Sequence, residues 1–210
     1  MVNYGLRELF SPARISGIDV VKTDDRRLIA ECLQGHRAAF GELVRRYQDR
    51  LYNSVYRVVS NSEDAADVVQ DAFLNAYQSL NSFKGDAEFF TWLYRIAFNT
   101  AISLKRKQRA VLRLEWENGS TSGLEPADES AFTDPGSSME RSEDEAKLQA
   151  ALNRLSPEHR AVLVLKDIDG QKYEEIADIL DVPVGTIRSR LHRARLELRE
   201  LLLSEDKGST

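Results

Sequence analysis

The stretch DVPVGTIRSRLHRARLELREL, residues 181–201, gathers Arg188, Arg190, Arg193, Arg195 and Arg199 against only Glu197 and Glu200. The whole chain has 210 residues and a formal net charge of −5, so the cluster is a local device. Read as a helix, it sets Ile187, Leu191, Ala194, Leu198 and Leu201 in one apolar stripe. Arg188, Ser189 and His192 fall opposite, with Arg193, Arg195 and Arg199 on the flanks. Just upstream, YEEIADILDV supplies Ile176, Ala177, Ile179, Leu180 and Val182 for a second, short helix that stops before Pro183. Two helices joined by a turn of about three or four residues form a helix-turn-helix. Its corner needs a left-handed residue, and Asp181 stands where glycine is usual.

A recognition helix of this kind enters the major groove with its N-terminal end at the bases, where arginine bonds guanine O6 and N7. A basic run is more commonly a solvated helix face. Here a full apolar stripe and a preceding short helix favour DNA reading.

Composition divides the chain. Residues 113–145 are rich in Ser, Gly, Pro and acid and carry a net charge of −8, which leaves +3 on the remainder. Such a stretch buries too little apolar surface to offset its ordering entropy and reads as a tether. No apolar window of about 18 residues offers a membrane span, and the first residues lack the apolar run of a signal peptide. Cys32 is the single cysteine, so no intrachain disulfide can form. A cytoplasmic setting is expected.

Both flanking parts read as helical, with no convincing period-two alternation, so the expected class is all-α with two small helical domains. In the first, a short helix is expected over 24–34, ended at Gly35. The next carries Phe40, Leu43, Val44, Tyr47, Leu51, Val55 and Val58. Ser62, with Glu63 and Asp64, is the expected start of the third. That helix shows an acidic stripe, Glu63, Asp67 and Asp71, with Gln70 beside it and Val69, Ala72, Phe73, Ala76 and Leu80 on the buried side. Like charges at i+4 disfavour the helix slightly, a hint of a basic partner. A glycine turn then leads to a long helix in which Arg95, Lys105, Arg106, Lys107 and Arg109 are interleaved with aromatics. Cations plus aromatics suit separated DNA strands, whose bases stack and whose phosphates attract cations. In the second domain, Ser156 and Pro157 are the expected start of a helix.

DVVQDAFLNAY, SFKGDAEFFTWLYRIAFNTA and LSPEHRAVLVLKDIDGQKYEEIADILDVPVGTIRSRLHRARLEL together resemble bacterial RNA polymerase sigma factors of the extracytoplasmic-function class. The resemblance implies an N-terminal extension (1–23), sigma region 2 (24–108), a flexible acidic linker (109–144), sigma region 4 (145–203) and a C-terminal tail (204–210). It implies core RNA polymerase, through its β′ clamp helices and β flap, and promoter DNA as partners. An anti-sigma factor is a further possible one. The clamp helices would meet Asp67, Gln70, Asp71 and Phe73. Phe83, Lys84, Arg95, Ile96 and Asn99 would melt the −10 element and hold a flipped base, an extrusion that costs a few kcal/mol. Arg188, Ser189, His192 and Arg193 would read the −35 duplex. A stand-alone helix-turn-helix regulator fits the C-terminal half alone and leaves the aromatic segment and acidic stripe without a role.

An enzyme is not expected. His36, His159 and His192 are scattered, no nucleophile has a base nearby in sequence, and no Cys/His cluster or glycine-rich phosphate loop appears. No cofactor or metal is expected, and Cys32 reads as a small buried apolar residue.

Overall fold

Ser60 and Asn61 alone separate two long helices, and each closes one of them. Ser60 adopts the left-handed conformation (φ 59°) and its N–H bonds the Tyr56 carbonyl at 2.7 Å. The Asn61 side chain accepts from the Asp64 N–H at 2.8 Å, while Glu63 and Asp64 lie in the first turn, where the helix dipole favours acids. Ser62, the expected start, is therefore the first residue inside the helix, one beyond the observed cap Asn61.

The computed structural model describes the backbone of residues 18–117 and 139–206 and the side chains of 24–111 and 145–204. Its helices are α1 (Ile18–Leu33), α2 (Arg37–Val59), α3 (Ser62–Gln78), α4 (Phe89–Glu117), α5 (Met139–Arg154), α6 (Pro157–Leu163), α7 (Tyr173–Leu180) and α8 (Val184–Asp206). No strand occurs among the described residues, as the patterning predicts. Helix α1 begins within the expected N-terminal extension, and α4 and α5 run into the expected linker from both sides. Helix α8 likewise enters the expected tail. Residues 1–17, 118–138 and 207–210 lie outside the described residues, including most of the acidic tether.

Helix α4 is the axis of the molecule. Leu93, Tyr94, Ala97, Phe98 and Ala101 are wholly buried, a stripe at helical spacing that packs against α2 and α3. Leu43, Leu51, Val55 and Val58 of α2 are equally buried. Each large side chain removed from water in this way contributes roughly 1.5–3 kcal/mol before entropy is counted. The C-terminal helices do not stand apart. Helix α7 packs on α4, and α5 and α6 pack near the C-terminal end of α2.

Polar groups stitch this joint. Arg160 of α6 is 3% exposed and donates to the Val58 carbonyl at 2.6 Å and to Ser60 Oγ at 3.1 Å. It is a cation set on the carbonyl end of α2, where the helix dipole is negative. Burial, with Arg109 nearby, draws its pKa down to about 10. Gln149 of α5 donates to the Arg57 carbonyl at 3.2 Å and to Ser60 Oγ at 2.9 Å.

The second seam comes from an irregularity. After Leu163 the helix widens over Val164–Ile168, with the Asp169 N–H bonded to the Val164 carbonyl and the Gln171 N–H to that of Leu165, both at 2.9 Å. Gly170 turns the chain at φ 71°, a conformation glycine adopts without strain. The turn carries the Asp169 carboxylate to Ser54 Oγ of α2, 2.8–2.9 Å away, which also lies 3.0 Å from the Tyr94 hydroxyl. Arg50 donates to the Asp169 carbonyl at 3.3 Å. Burial pushes the Asp169 carboxyl up to about 6, against the lowering influence of Ser54, Arg50 and Arg57.

Because that pKa lies above the ordinary carboxylate value, the protonated form suits the joint. Its contribution to stability is complete below about pH 4 and declines as pH rises through about 6. Asp169→Asn, which fixes the neutral form, should raise the melting temperature at pH 7.5, and the gain should shrink as pH falls through about 6 and approach zero only below about pH 4. Differential scanning fluorimetry across that range measures both.

Candidate nucleic-acid and polymerase-facing surfaces

With Val68, Val69, Ala72 and Ala76 turned inward, α3 leaves Asp67, Gln70 and Asp71 exposed along one line. Leu74 continues that line and is 52% exposed, an apolar residue that the sequence reading passed over. Phe73 is not part of it. Its ring is 7% exposed and meets Phe40 edge-to-face, with centroids 6.4 Å apart. Its direct contact with a partner is therefore corrected to a core role beneath the acidic stripe.

The turn before α4 is lined with rings. Phe83 is half-buried, with its ring 5.1 Å from Trp92 and 6.1 Å from Phe89. Phe89 continues the cluster to Tyr47 and Phe40. Phe83 is thus a wall of the core with one side outward. Lys84 is exposed beside it, and Gly85 reverses the chain at φ 76°.

On α4 itself Arg95 and Asn99 are exposed one turn apart, and Ile96 is half-buried against the core. These two polar side chains face the C-terminal helices. The Arg95 guanidinium lies 3.1 Å from the Asp181 carboxylate. Asn99 and Arg106 line a cleft whose opposite wall is Leu180, Asp181, Val182 and Arg190. Arg106 donates to Glu158 at 2.5 Å. Sequence reading placed Arg106 only in a basic run. Its part in this wall, and that of Arg190, depend on the joint.

The helix-turn-helix is formed as its spacing predicts. Ile176, Ile179, Leu180, Ile187, Leu191, Ala194 and Leu198 are buried. Asp181 is left-handed at φ 54°, ψ 48°, and the Val182 N–H returns to the Ala177 carbonyl at 3.1 Å. Pro183 opens the next helix by accepting from the Thr186 and Ile187 N–H groups at 2.8 and 3.2 Å. Ser156 caps α6 by accepting from the His159 N–H at 3.2 Å.

Arg188, Ser189, His192 and Arg193 are all exposed on α8, with Arg188 resting 5.8 Å from the Tyr173 ring centroid. Arg195 is occupied otherwise: its guanidinium pairs with Asp167, the Nε bond being 3.0 Å long. His159 bridges α6 to α8 through Glu197 at 2.8 Å. The arginine cluster therefore divides, with Arg195 fastening the domain and Arg188 and Arg193 left outward.

The chain matches the family model "Sigma-70 region 2" over residues 43–111 and "Sigma-70, region 4" over 145–198. It is 37% identical over 182 residues to the ECF RNA polymerase sigma factor SigW of Bacillus subtilis (strain 168), covering 84% of this chain and 96% of that protein. It is 40% identical over 177 residues to the ECF RNA polymerase sigma-E factor of Escherichia coli (strain K12), covering 81% and 90%. Among solved structures it resembles CnrH in complex with the cytosolic domain of CnrY, with a TM-score of 0.61, 30% identity and coverage of 86% and 98%. It also resembles the sigma factor RpoE in complex with the anti-sigma factor NepR from Bartonella quintana, with a TM-score of 0.61, 28% identity and coverage of 78% and 96%.

The two halves of the α3 assignment separate cleanly by experiment. Phe73→Ala should cost about 3–5 kcal/mol of stability, read as a lower urea midpoint. The Asp67→Lys/Asp71→Lys double variant should keep the wild-type midpoint within about 0.5 kcal/mol and lose co-purification with core RNA polymerase.

Proposed function

This chain belongs to the extracytoplasmic-function sigma factors, which direct promoter-specific transcription, and from that premise we propose how its surfaces divide the work. Region 2 docks on the β′ clamp helices through Asp67, Gln70 and Asp71, and region 4 meets the β flap. The exposed acidic line on α3 supports the first contact, since a row of carboxylates suits basic groups on a partner helix. Leu74 at its end would add apolar area.

Within region 2, Phe83, Lys84, Arg95, Ile96 and Asn99 engage the −10 element as its strands part. The observation that carries this is the aromatic wall of Phe83 and Trp92, with the exposed Arg95 about one turn and Asn99 about two turns further along α4. Stacking of bases on such rings is worth about 1–3 kcal/mol each, enough to offset the extrusion of a single base. Ile96, half-buried, shapes the floor rather than bonding a base.

Region 4 reads the −35 element as duplex through Arg188, Ser189, His192 and Arg193. A helix entering the major groove presents its N-terminal part to base edges, and these four residues lie in the N-terminal half of α8. A stand-alone repressor would leave the acidic line and the aromatic wall unused. The chain works without catalysis of its own and in the cytoplasm, where core polymerase and promoter DNA are found. An anti-sigma factor, the partner class bound by the Bartonella sigma factor in its complex, is a partner of this chain as well.

Asn99→Ala should slow open-complex formation and relax selectivity at one −10 position while closed-complex binding stays near wild type. Permanganate footprints tell the outcomes apart. On a library of randomised upstream elements, Arg188→Ala in the holoenzyme should cost about 1–3 kcal/mol of discrimination at one −35 position. Arg199→Ala, further along α8, should weaken all sequences alike and change the salt slope by about one unit. If instead Arg199→Ala altered the preferred −35 sequence and Arg188→Ala left it intact, the reading face is reversed.

A further inference from the structure

Two arginines of α8 are held by their neighbours in different ways. Arg195 is occupied by the Asp167 carboxylate, whereas the exposed Arg188 has its guanidinium over the Tyr173 ring, 5.8 Å from the centroid. We infer that Tyr173 is a positioning residue for promoter reading. Its ring seats the Arg188 guanidinium ready for a base edge, and so sets selectivity at one position of the −35 element. The inference rests on Arg188 being a reader of the −35 duplex, as proposed above.

The two kinds of partner differ in what they leave free. A carboxylate engages guanidinium N–H groups directly, and those donors are lost to DNA. An aromatic ring attracts the cation through its negative face and consumes no donor. Arg188 can therefore be oriented and still bond guanine O6 and N7. A long exposed side chain otherwise loses much of its rotamer freedom at the moment of binding. A seat that restricts it beforehand reduces that loss.

The ring is itself fixed. Tyr173 opens α7, is half-buried and packs against the core. The preceding Lys172 N–H donates to the Glu175 carboxylate at 2.8 Å, which holds the start of that helix. Lys166 brings a second cation to the same ring, with Nζ 4.8 Å from the centroid. That ammonium is anchored, since it donates to the Gln171 carbonyl at 2.8 Å. Two cations at one ring repel each other, so the anchored Lys166 also limits where the guanidinium can settle.

The widened helical turn is what brings these groups together. Such widenings occur often at functional sites, and the one over Val164–Ile168 carries Lys166 to Tyr173 and Asp167 to Arg195. Arg188 and Arg195 lie about two turns apart along α8. One short segment thus acts on the recognition helix at both points. Through Asp167 it fixes the helix itself, and through Tyr173 it fixes a side chain that the helix presents.

The test uses the holoenzyme on a library of randomised upstream elements. Tyr173→Leu should lose about two- to fivefold of the discrimination at the position that Arg188→Ala affects, the range an exposed cation–π contact supplies. Tyr173→Phe, which keeps the ring, should match wild type. In an Arg188→Ala background, Tyr173→Leu should add nothing at that position. A packing role alone would weaken all sequences alike, so unchanged selectivity at that position in Tyr173→Leu overturns the inference. A Tyr173→Phe variant that loses as much selectivity as Tyr173→Leu also overturns it, because the hydroxyl and not the ring would then be responsible. Replacing Tyr173 by trifluorophenylalanine keeps the packing while withdrawing charge from the ring face, and should reproduce the loss even where Tyr173→Leu folds poorly. A second measurement needs no promoter. Arginine Nε–H relaxation in the free full-length protein should find Arg188 more ordered than the exposed Arg193, and Tyr173→Leu should remove the difference. Equal order of the two in the wild type overturns the seat. If Arg188→Ala leaves the −35 preference intact, the reading face assigned to α8 fails, while the relaxation measurement still decides whether the ring holds the guanidinium.

Discussion

The inward stripe of α4, Leu93, Tyr94, Ala97, Phe98 and Ala101, decides what every other surface of the molecule can do. Those side chains are committed to the region 2 core, so the same helix offers Arg95, Asn99, Ser103 and Arg106, and beyond them Lys107 and Arg109, to the outside. A helix has one outward face, and helix α7 with the Asp181 corner rests beside part of this one.

The joint is apolar and polar at once. The buried side chains of the two regions form one continuous cluster, from Leu28 to Leu198, and hydrogen bonds among cations, hydroxyls, carbonyls and the Asp169 carboxylate cross it, each worth about 0.5–1.5 kcal/mol net. Arg160 shows the balance. It is buried without a carboxylate partner, and its lowered pKa records the desolvation. Tyr94 is different in kind. Burial raises its hydroxyl pKa, and its ring belongs to the core. One residue thus ties the interior to the seam.

Periodicity made much of this legible from the sequence. Pro183, the left-handed Asp181 and the stripe from Ile187 to Leu198 specify the helix-turn-helix without any distant contact. Helix ends were read less sharply, since Asn61 and Ser62 are both good caps and only the Asp64 N–H geometry distinguishes them. Leu74 was passed over although its place is legible: at about 100° per residue it returns almost to the azimuth of Asp67. Phe73 lies roughly 120° away on the same count, facing Phe40, on the buried side that periodicity gave it, and only the resemblance set it among the polymerase contacts. The joint itself was beyond reach. Ser54 and Asp169 look like an ordinary helix serine and a turn aspartate, and only tertiary structure brings them together.

A long acidic segment joins α4 to α5. Twenty-one residues lie between Glu117 and Met139, which at full extension reach on the order of 70 Å. The −10 and −35 elements are separated along duplex DNA by roughly 80 Å, at about 3.4 Å per base pair, and each domain covers part of that span itself. A net charge of −8 across residues 113–145 would repel phosphates and leave them to the basic faces proposed on α4 and α8. The overall acidity of the chain and the basicity of its two reading surfaces are thus complementary halves of one arrangement.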